Sequence, residues 1–541
     1  MRTVRPVNQK EVERAANKER GGFYTPPVLA SWCVSWAVEA GARVLEPSAG
    51  DGVFVSIASE KTGANGNVVA IELDGEEAEK VRALRLDNVE IQTGDAFSWY
   101  RPEDMDGAFD AVVGNPPFVR YQSFPEAHRE PAFAMMRDEG LHPSRLTNAW
   151  VPFVVLATRA LREDGRLAMV IPAELLQVSY AAELRSYLTR NFRELTVVAF
   201  RDLVFKGIQQ ETILLLGVRS AGSSASIRFI ETQDIASLTH LVEDVEPVPV
   251  DLDHATEKWT QYLLTGSEIG LLRSLALAKQ FVRLGDLAEV DVGVVTGRNE
   301  FFVMTPSEAR DADLIDRCLP MVGRSAQIPG LRLRREDWTE LFESDTRCLM
   351  LQLGKTARED LSPAELAHVL QGEAVRFHDG YKCRIRLPTW WNVPGTWVPD
   401  GFLLRQIHDG PRLIANAAGV TATDTIHRVR TRPGVDVDAL ASMSMNSLTW
   451  AFSEVLGRSY GGGVLELEPT EAEALPFPNL ASSSLSLDEI DDYARRKPVS
   501  QVLDEVDRLI LRGSGLTDQE IKSLRGIWSR LSSRRMNRKG R

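Results

Sequence analysis

The chain has 541 residues, of which 43% are hydrophobic and 26% charged, and its formal net charge is -13. That length is too great for one ordinary domain and suits two or three. No apolar run approaches the roughly 20 residues of a membrane span, and the sequence begins without a secretory apolar segment. We therefore expect a cytoplasmic protein with no membrane partner. The acidic balance argues mildly against a nucleic-acid partner, but a local basic patch is enough to bind one.

The four cysteines, Cys33, Cys318, Cys348 and Cys383, are far apart and form no C-x-x-C pair. Neither a zinc site nor a disulfide scaffold is indicated. No H-E-x-x-H occurs either. We expect reduced thiols and no metal.

At the amino terminus, residues 1–20 are polar and charged, which is typical of an arm or a helix. A Tyr-Thr-Pro-Pro run then leads into an apolar stretch, Val28 to Val38, with helical periodicity. Thr25 is predicted to cap this helix, and Pro26 suits its first turn.

The next three predicted strands each end in groups that suit one part of an amino acid linked to a nucleoside. The first runs from Arg43 into a glycine-rich turn, where the Glu46 carboxylate suits an ammonium group better than a pyrophosphate. The second ends in Glu72, about 20 residues past the glycines, the usual spacing for an acid that binds ribose hydroxyls. After the third, Asp95 can accept from an adenine amino group and Phe97 can pack on its ring.

The fourth predicted strand, Ala111 to Val113, is closed by Gly114 and two prolines that forbid its continuation. The Asn115 side-chain oxygen and the Pro116 carbonyl can both accept from one planar amino group, and Phe118 offers a stacking face. An isolated Asn-Pro-Pro is more often an ordinary turn. Four successive strand ends with suitable groups favour a ligand site, because open α/β sheets bind ligands at that edge.

These runs, in this order, resemble the S-adenosylmethionine-dependent amino-DNA methyltransferases, and within them the gamma group of TaqI-type N(6)-adenine enzymes from restriction-modification systems. The matching runs are Phe23-Tyr-Thr-Pro-Pro27, Leu45-Glu-Pro-Ser-Ala-Gly-Asp-Gly52, Ile71-Glu-Leu-Asp74, Gly94-Asp-Ala-Phe97 and Asn115-Pro-Pro-Phe118. Similarity continues through Asn148 to Phe153, Gly165 to Pro172 and Val204 to Leu216. The resemblance therefore covers the amino-terminal part of the chain.

The resemblance implies S-adenosyl-L-methionine as cofactor and double-stranded DNA as partner. Its implied cofactor-binding residues are Thr25, Glu46, Ser48, Ala49 and Gly50 for the methionine part, Glu72 for the ribose, and Asp95 with Phe97 for the adenine. Its implied catalytic turn is Asn115, Pro116, Pro117 and Phe118, with Asn115 and Pro116 on the target amino group. Phe118 would stack on the flipped base and Phe205 would support its edge. Phe118 stands where Tyr is commoner, so the stacking face is kept and a hydroxyl is lost.

The fold class implied is α/β: a Rossmann-like, seven-stranded class I methyltransferase domain over residues 1–245, followed by a mixed α+β target-recognition domain over 256–480. A helical carboxy-terminal extension with a basic tail is expected over 485–541. The acidic, proline-containing run at 243–251 suits the linker between the first two domains. The long connection between Val119 and Thr147 is expected to be disordered or a binding loop that orders on DNA.

Two runs in the second half are candidate DNA contacts. Arg298 and Asn299 lie in a polar turn, and Lys382, Arg384 and Arg386 alternate with aromatic and apolar residues. The alternative for the second run is an amphipathic strand with a solvated basic face.

The predicted function is methyl transfer to the 6-amino group of a flipped adenine in double-stranded DNA, with a separately encoded restriction endonuclease as partner. Because the motifs begin almost at the amino terminus, we expect no fused nuclease ahead of them. Carbon-5 methylation of cytosine would need a nucleophilic Cys in the catalytic turn, and none is near Asn115. The alternatives are methylation of RNA or of a protein amide, and a modification subunit that needs a separate specificity partner.

Overall fold

The computed structural model describes residues 24–205, 211–220, 222, 226–240, 257–460, 463–479 and 486–537. The predicted arm at 1–20, the predicted linker at 243–251 and the last four residues of the basic tail lie outside this part. Within the described ranges, no helix has the length and apolarity needed to cross a membrane. Contacts divide the chain into two units, which meet between Gly266 and Ser267 in the sequence.

The first unit contains a sheet of eight strands in the order β3-β2-β1-β4-β5-β7-β6-β8. The strands are β1 (Arg43–Glu46), β2 (Asn67–Glu72), β3 (Val89–Thr93), β4 (Phe109–Gly114), β5 (Leu161–Pro172), β6 (Phe192–Phe200), β7 (Thr212–Arg219) and β8 (Ser226–Thr232). All neighbouring strands are parallel except β7, which runs antiparallel to β5 and β6. The predicted seven-stranded sheet therefore gains an eighth strand, because β8 pairs with β6.

The helices of the first unit connect these strands. They are α1 (Pro27–Ala37), α2 (Val53–Thr62), α3 (Gly75–Ala83), α4 (Ala96–Trp99), α5 (Pro102–Met105), α6 (Glu126–Asp138), α7 (Trp150–Ala160), α8 (Glu174–Gln177) and α9 (Ala182–Asn191). One core cluster joins Leu29 and Val34 of α1 with Phe54 of α2 and with Val44 and Ala111 of the sheet. In the sheet, β2 and β3 lie on one side of β1 and β4 lies on its other side. The strand order therefore reverses between β1 and β4, and a crevice forms at their carboxyl ends.

Two local predictions in the first unit are wrong. Thr25 does not cap α1, which begins at Pro27 after Pro26 without a side-chain cap; the Thr25 hydroxyl accepts a hydrogen bond from Asn115 instead. The connection from Val119 to Thr147 is not a plain loop, because it contains α6. Pro125 precedes that helix, where no amide proton is needed, and residues such as Phe133 and Met136 bury its inner face.

The second unit contains a five-stranded sheet in the order β10-β19-β15-β17-β13 and three smaller sheets. Its strands are β9 (Phe281–Arg283), β10 (Ala288–Val292), β11 (Val303–Met304), β12 (Cys318–Val322), β13 (Arg332–Leu333), β14 (Leu349–Leu351), β15 (Gly401–Leu404), β16 (Gln406–Ile407), β17 (Leu413–Asn416), β18 (Thr421–Ala422), β19 (Ile426–Thr431), β20 (Arg458–Tyr460), β21 (Val464–Glu466) and β22 (Pro476–Pro478).

Helices of the second unit are α10 (Gly266–Ala276), α11 (Leu284–Leu287), α12 (Asn299–Phe302), α13 (Pro306–Asp311), α14 (Arg335–Glu343), α15 (Pro363–Ala374), α16 (Tyr381–Arg384), α17 (Val437–Met443), α18 (Ser447–Leu456), α19 (Pro469–Glu473), α20 (Leu487–Arg496), α21 (Val499–Val506) and α22 (Asp518–Met536). The run at Tyr381 is thus helical rather than an amphipathic strand. Its Cys383 points into the core and is fully buried, which a single helical turn permits.

The carboxy-terminal helices pack into the core of this unit. Leu503 of α21 belongs to its main apolar cluster, and Trp528 of α22 meets Trp450 of α18 at 5.2 Å between ring centroids. Arg535, part of the predicted basic tail, is 2% exposed and forms an ion pair with Glu454 at 2.6 Å. It is therefore not available to attract phosphate.

Candidate active site

A cavity of about 510 Å³ opens at the carboxyl ends of β1 to β4. Its lining includes all eight residues predicted to hold the cofactor: Thr25, Glu46, Ser48, Ala49, Gly50, Glu72, Asp95 and Phe97. Asn115 and Pro117 of the predicted catalytic turn line it as well. Four strand ends that are far apart in sequence thus contribute to one pocket.

Glu46, at the end of β1, is a buried carboxylate in this pocket. Its side chain is 1% exposed, and within the described ranges its Oε2 accepts no hydrogen bond. Burial first, and then the charges of Glu72 and Asp51, hold the pKa of its carboxyl well above the usual range. A cationic ligand group would compensate such a carboxylate. Glu46 therefore fits an ammonium group.

Glu72 connects the end of β2 with the glycine-rich turn. One carboxylate oxygen accepts from the Gly50 amide at 2.7 Å, and the other accepts from the Asp74 amide at 2.8 Å. Each oxygen can accept a further hydrogen bond, as ribose hydroxyls would require. Gly50, at φ +54°, has a left-handed backbone that favours glycine, and a Cβ there would meet nothing within 4 Å.

The end of the pocket that is predicted to hold the adenine contains Asp95, two aromatic rings and a histidine. Asp95 Oδ2 accepts from the Ser98 amide at 3.0 Å and so caps α4, while Oδ1 lies 3.7 Å from His128 Nδ1 of α6. The rings of Phe97 and Phe153 meet edge to face, with centroids 4.7 Å apart. They form an apolar wall against which a flat base can pack.

The predicted catalytic turn is attached to both the amino-terminal segment and the glycine-rich turn. Asn115 Nδ2 donates to Thr25 Oγ1 at 3.1 Å, and Ser48 Oγ donates to the Asn115 carbonyl oxygen at 3.3 Å. With its nitrogen donating to Thr25, the Asn115 side chain presents its oxygen as the acceptor. Gly114, at φ +153°, has a backbone conformation that favours glycine, and a Cβ there would make an ordinary contact with Glu46 Cγ at 3.5 Å.

The remaining predicted site residues lie around this turn or behind it. Pro116 is buried, and Phe118 is partly exposed. Phe205 is 6% exposed and packs in the core cluster of the first unit. None of these three lines the cavity, so their roles toward a target base stay predictions.

Two family models match the chain. The model described as Eco57I restriction-modification methylase matches residues 59–205, and the one described as Type II methyltransferase M.Eco57I, C-terminal domain, matches residues 256–511. Together they match about three quarters of the chain. The chain belongs to the Eco57I-type restriction-modification methylases. Their common methyl donor is S-adenosylmethionine, which this methylase uses.

Relatives of this methylase include whole-length and partial matches. Type II methyltransferase M.AccI of Acinetobacter calcoaceticus is 21% identical over 484 residues, covering 85% of this chain and 86% of that protein. M.XamI of Xanthomonas campestris pv. amaranthicola is 24% identical over 491 residues, covering 85% of each. M.TthHB8I of Thermus thermophilus is 32% identical over 209 residues, 37% of this chain and 45% of that protein. Among solved structures, the type IIG restriction endonuclease BpuSI is 14% identical, with a TM-score of 0.40 over 97% of this chain and 68% of that one.

Sequence reasoning missed several residues of the methylase pocket. Tyr24, His128 and Phe153 line it, but they come from segments that carry no polar strand end. Tyr24 Oη donates to Glu77 Oε1 at 3.0 Å, which ties the amino-terminal segment to α3. The apolar run at Trp150 to Phe153 gave a signal for α7, but it does not indicate which face of that helix meets the cavity.

Asn148, just before α7, anchors the segment that follows the predicted catalytic turn. Its Oδ1 accepts from the Tyr121 amide at 3.2 Å, and its Nδ2 donates to Glu174 at 3.1 Å and to Tyr180 Oη at 2.9 Å. Burial first, and then the Glu174 charge, raise the pKa of Tyr180, so its hydroxyl stays protonated. Residues that follow β5, Glu174 and Tyr180, thus hold the segment after Phe118 in place through Asn148.

The predicted DNA-contact runs meet in the second unit. Arg298, Asn299, Lys382 and Arg384 are all exposed. Gly297, next to Arg298, packs so closely on the second run that a Cβ there would lie 2.7 Å from Lys382 Cβ. Two runs separated by some 80 residues of sequence thus form one surface.

Arg386 differs from its neighbours. Its two terminal nitrogens donate to the carbonyl oxygens of Thr296 at 2.8 Å and of Val295 at 2.6 Å. Burial lowers the pKa of Arg386. These contacts favour a structural role, in which Arg386 holds the turn that carries Arg298.

Proposed function

We propose that this restriction-modification DNA methyltransferase acts on the 6-amino group of an adenine flipped out of double-stranded DNA. The observation that carries the proposal is the position of Asn115, which follows β4 and lines the cofactor cavity. Its side chain is oriented by Thr25 so that the amide oxygen is the acceptor. An amino group is the natural donor to that oxygen and to the Pro116 carbonyl.

The chemistry of the target explains why two acceptors are needed. The lone pair of an adenine amino nitrogen is delocalised into the ring, so the nitrogen is a poor nucleophile. Two hydrogen-bond acceptors on its protons pull the nitrogen towards tetrahedral geometry and localise the lone pair. Asn115 cannot act as a strong base, so positioning and preorganised polar groups account for the rate.

The cofactor supplies an electrophilic methyl group on its sulfonium. In our proposal, Glu46 binds its ammonium group, Glu72 its ribose hydroxyls, and Asp95 with Phe97 its adenine. Thr25, Ser48, Ala49 and Gly50 complete the methionine end of the pocket. The buried Glu46 carboxyl, whose Oε2 accepts no hydrogen bond within the described ranges and whose pKa is held well above the usual range, supports this orientation.

The target base requires space beside the catalytic turn, outside the DNA stack. In a duplex the 6-amino group is paired and stacked, so flipping is obligatory for transfer. Phe118 would stack on the flipped ring and Phe205 would support its edge. Arg298, Asn299, Lys382 and Arg384 would contact the duplex from the second unit.

A product analysis tests this function. The purified protein is incubated with isotope-labelled S-adenosylmethionine and a mixture of plasmid DNA, RNA and protein, and each fraction is digested and analysed by mass spectrometry. We expect label in N(6)-methyladenine from DNA and none there with Asn115→Ala. Label in N4-methylcytosine, in RNA or in glutamine would assign the same pocket to another amine. Sequencing of the modified DNA then gives the methylated sequence.

A further inference from the structure

The segment of residues 381–387, here called the 381–387 knob, exposes an unusual amount of apolar surface. Tyr381 is 63% exposed, Ile385 59% and Leu387 55%. Nine large hydrophobic side chains in the described ranges are at least 55% exposed, and three of them fall within these seven residues. Contiguous exposed apolar groups mark interaction sites.

The knob is presented rigidly. The Arg384 amide donates to the Gly380 carbonyl at 2.8 Å and the Ile385 amide donates to Tyr381 at 3.2 Å, so the segment winds as a helical turn. Tyr381, Arg384 and Ile385 share one face by their spacing of three and four residues. Leu387 follows Arg384 by one turn, since its amide donates to the Arg384 carbonyl at 3.3 Å. Behind that face, Cys383 is fully buried and Arg386 is bonded to two backbone carbonyls.

Basic side chains lie among the apolar ones, and the Asp379 carboxylate interacts electrostatically with one of them, Arg384. Arg298, Lys382 and Arg384 form no ion pair within the described ranges. Nearby carboxylates are paired with other arginines: Asp379 with Arg376 at 2.6 Å and Glu373 with Arg358 at 2.8 Å. Arg298 reaches the knob directly, because a Cβ at Gly380 would lie 3.1 Å from its Nε. In a chain of net charge -13, this is a local cationic surface.

We propose that the 381–387 knob is a DNA wedge, in which Ile385 and Leu387 insert between adjacent base pairs while Arg298, Lys382 and Arg384 contact the flanking phosphates. Cationic groups alone would suit any polyanion. The rigid apolar tip selects a partner with an apolar interior, and a base stack opened by inserted aliphatic side chains provides one. The inference rests on the proposed function, because DNA is the polyanion that the methylase modifies.

The test uses the full-length protein and two matched pairs of substitutions. Ile385→Ser with Leu387→Ser removes the apolar tip and keeps the charges; Lys382→Gln with Arg384→Gln does the reverse. Leu277→Ser, at a leucine that is 86% exposed elsewhere in the second unit, is the control for loss of a surface leucine. Thermal unfolding and S-adenosylmethionine binding are measured on every variant and should match the parent, since all the substituted side chains are exposed.

Three measurements on a linear plasmid fragment distinguish the roles. Permanganate reactivity of thymines reports unstacked base steps, filter binding at several salt concentrations reports phosphate contacts, and methyl transfer reports the outcome. We expect the apolar pair to lose a hyper-reactive step that the parent shows, and to methylate at least tenfold more slowly. The charge pair should bind about tenfold more weakly, with a salt slope smaller by about two. Leu277→Ser should behave as the parent.

If the apolar pair has the permanganate reactivity and the methylation rate of the parent, the wedge proposal is wrong. An unchanged salt slope for the charge pair would also overturn it and assign the surface to another partner, such as an acidic protein face. DNA binding and permanganate reactivity are measured independently of methyl transfer. A failure of the proposed adenine chemistry is therefore distinguishable from a failure of the wedge.

Discussion

The side-chain nitrogen of Asn115 donates a hydrogen bond to Thr25 Oγ1 at 3.1 Å, although 90 residues separate the two in sequence. The bond sets which atom of the amide is available to accept from a substrate. It also attaches the catalytic turn to the segment that precedes α1. Thr25 thus has two proposed tasks, one toward the cofactor and one toward Asn115.

Thr25→Val should lower kcat because Asn115 loses one of the groups that orient it. A neutral hydrogen bond of this kind contributes about 0.5–1.5 kcal/mol, so we expect a loss of roughly threefold to tenfold. Thr25→Ser keeps the hydroxyl and is the control. Steady-state methylation of DNA at saturating cofactor measures the effect. Equal rates for the Val and Ser variants would show that the bond does not orient Asn115.

Glu46→Gln should remove a pH dependence of cofactor binding. The folded-state pKa of Glu46 is raised by burial, so its contribution to the stability of the ligand-free protein is present at low pH and is lost as pH rises through that pKa. An ammonium ligand favours the ionised form, so affinity should rise with pH over the same range, with release of a proton. The variant should bind about tenfold to a hundredfold more weakly, the loss of a charged hydrogen bond.

Calorimetry in buffers of different ionisation enthalpy counts the released protons. The parent should release protons above the ordinary glutamate range, and Glu46→Gln should release fewer. A pH profile identical in the two proteins would assign the proton to another group.

Phe118→Ala and Asn115→Ala should fail for different reasons. Loss of stacking should weaken capture of the flipped base by roughly 1–3 kcal/mol, whereas loss of the Asn115 acceptor should raise the barrier by about 3 kcal/mol or more. A duplex with a mismatch at the target adenine lowers the cost of flipping. It should partly rescue Phe118→Ala and leave Asn115→Ala inactive, with cofactor binding retained in both. Equal rescue of both would remove Asn115 from the chemistry.

Asn148→Ala should slow methyl transfer more than it weakens cofactor binding. Asn148 bonds the backbone at Tyr121 to Glu174 and Tyr180, so its loss frees the segment after Phe118, whereas Asn148 itself is not among the residues that line the cavity. Asn191→Ala is a suitable control, because the Asn191 side chain donates to the Tyr187 carbonyl of α9 in the same unit. We expect a tenfold or smaller loss of kcat for Asn148→Ala and none for the control. A change in cofactor affinity instead would contradict the assignment.

A fragment of residues 1–266 should bind S-adenosylmethionine and should be more stable than one of residues 1–245. Trp259 is fully buried, and Tyr262 lies 6.4 Å from Phe229 of β8 between ring centroids. The shorter fragment lacks both rings. Thermal unfolding and calorimetry compare the two fragments, and neither should methylate DNA specifically. Equal stability would support the shorter domain boundary.

The strand ends of the site were predictable because each depends on a few adjacent residues. An apolar run followed by Glu72, Asp95 or Asn115 specifies both the end of a strand and the group placed there. Contacts between distant segments were not predictable in this way. The Thr25 hydroxyl has the chemistry of a helix cap, and only the fold brings it within reach of Asn115.

The second unit shows the same limit. Alternating basic and apolar residues at 381–387 fit a strand, but the structure has a helical turn over Tyr381–Arg384, in which Cys383 is buried while Ile385 and Leu387 are exposed. Arginine is a residue type typical of DNA contacts, but the Arg386 guanidinium donates to two backbone carbonyls instead. Short elements that are set by tertiary packing cannot be read from periodicity alone.

The cavity carries a high density of acid: Glu46, Asp51, Glu72, Asp74, Glu77 and Asp95 all line it. The methyl donor is cationic at its sulfonium, and its demethylated product lacks that charge, so the pocket attracts the donor over a longer range than the product. DNA carries the opposite charge, and in our proposal it is attracted to the basic surface of the second unit. Added salt screens both attractions. Ionic strength should therefore slow the two associations together, and turnover at low concentrations of donor and DNA should fall more steeply with salt than either association alone.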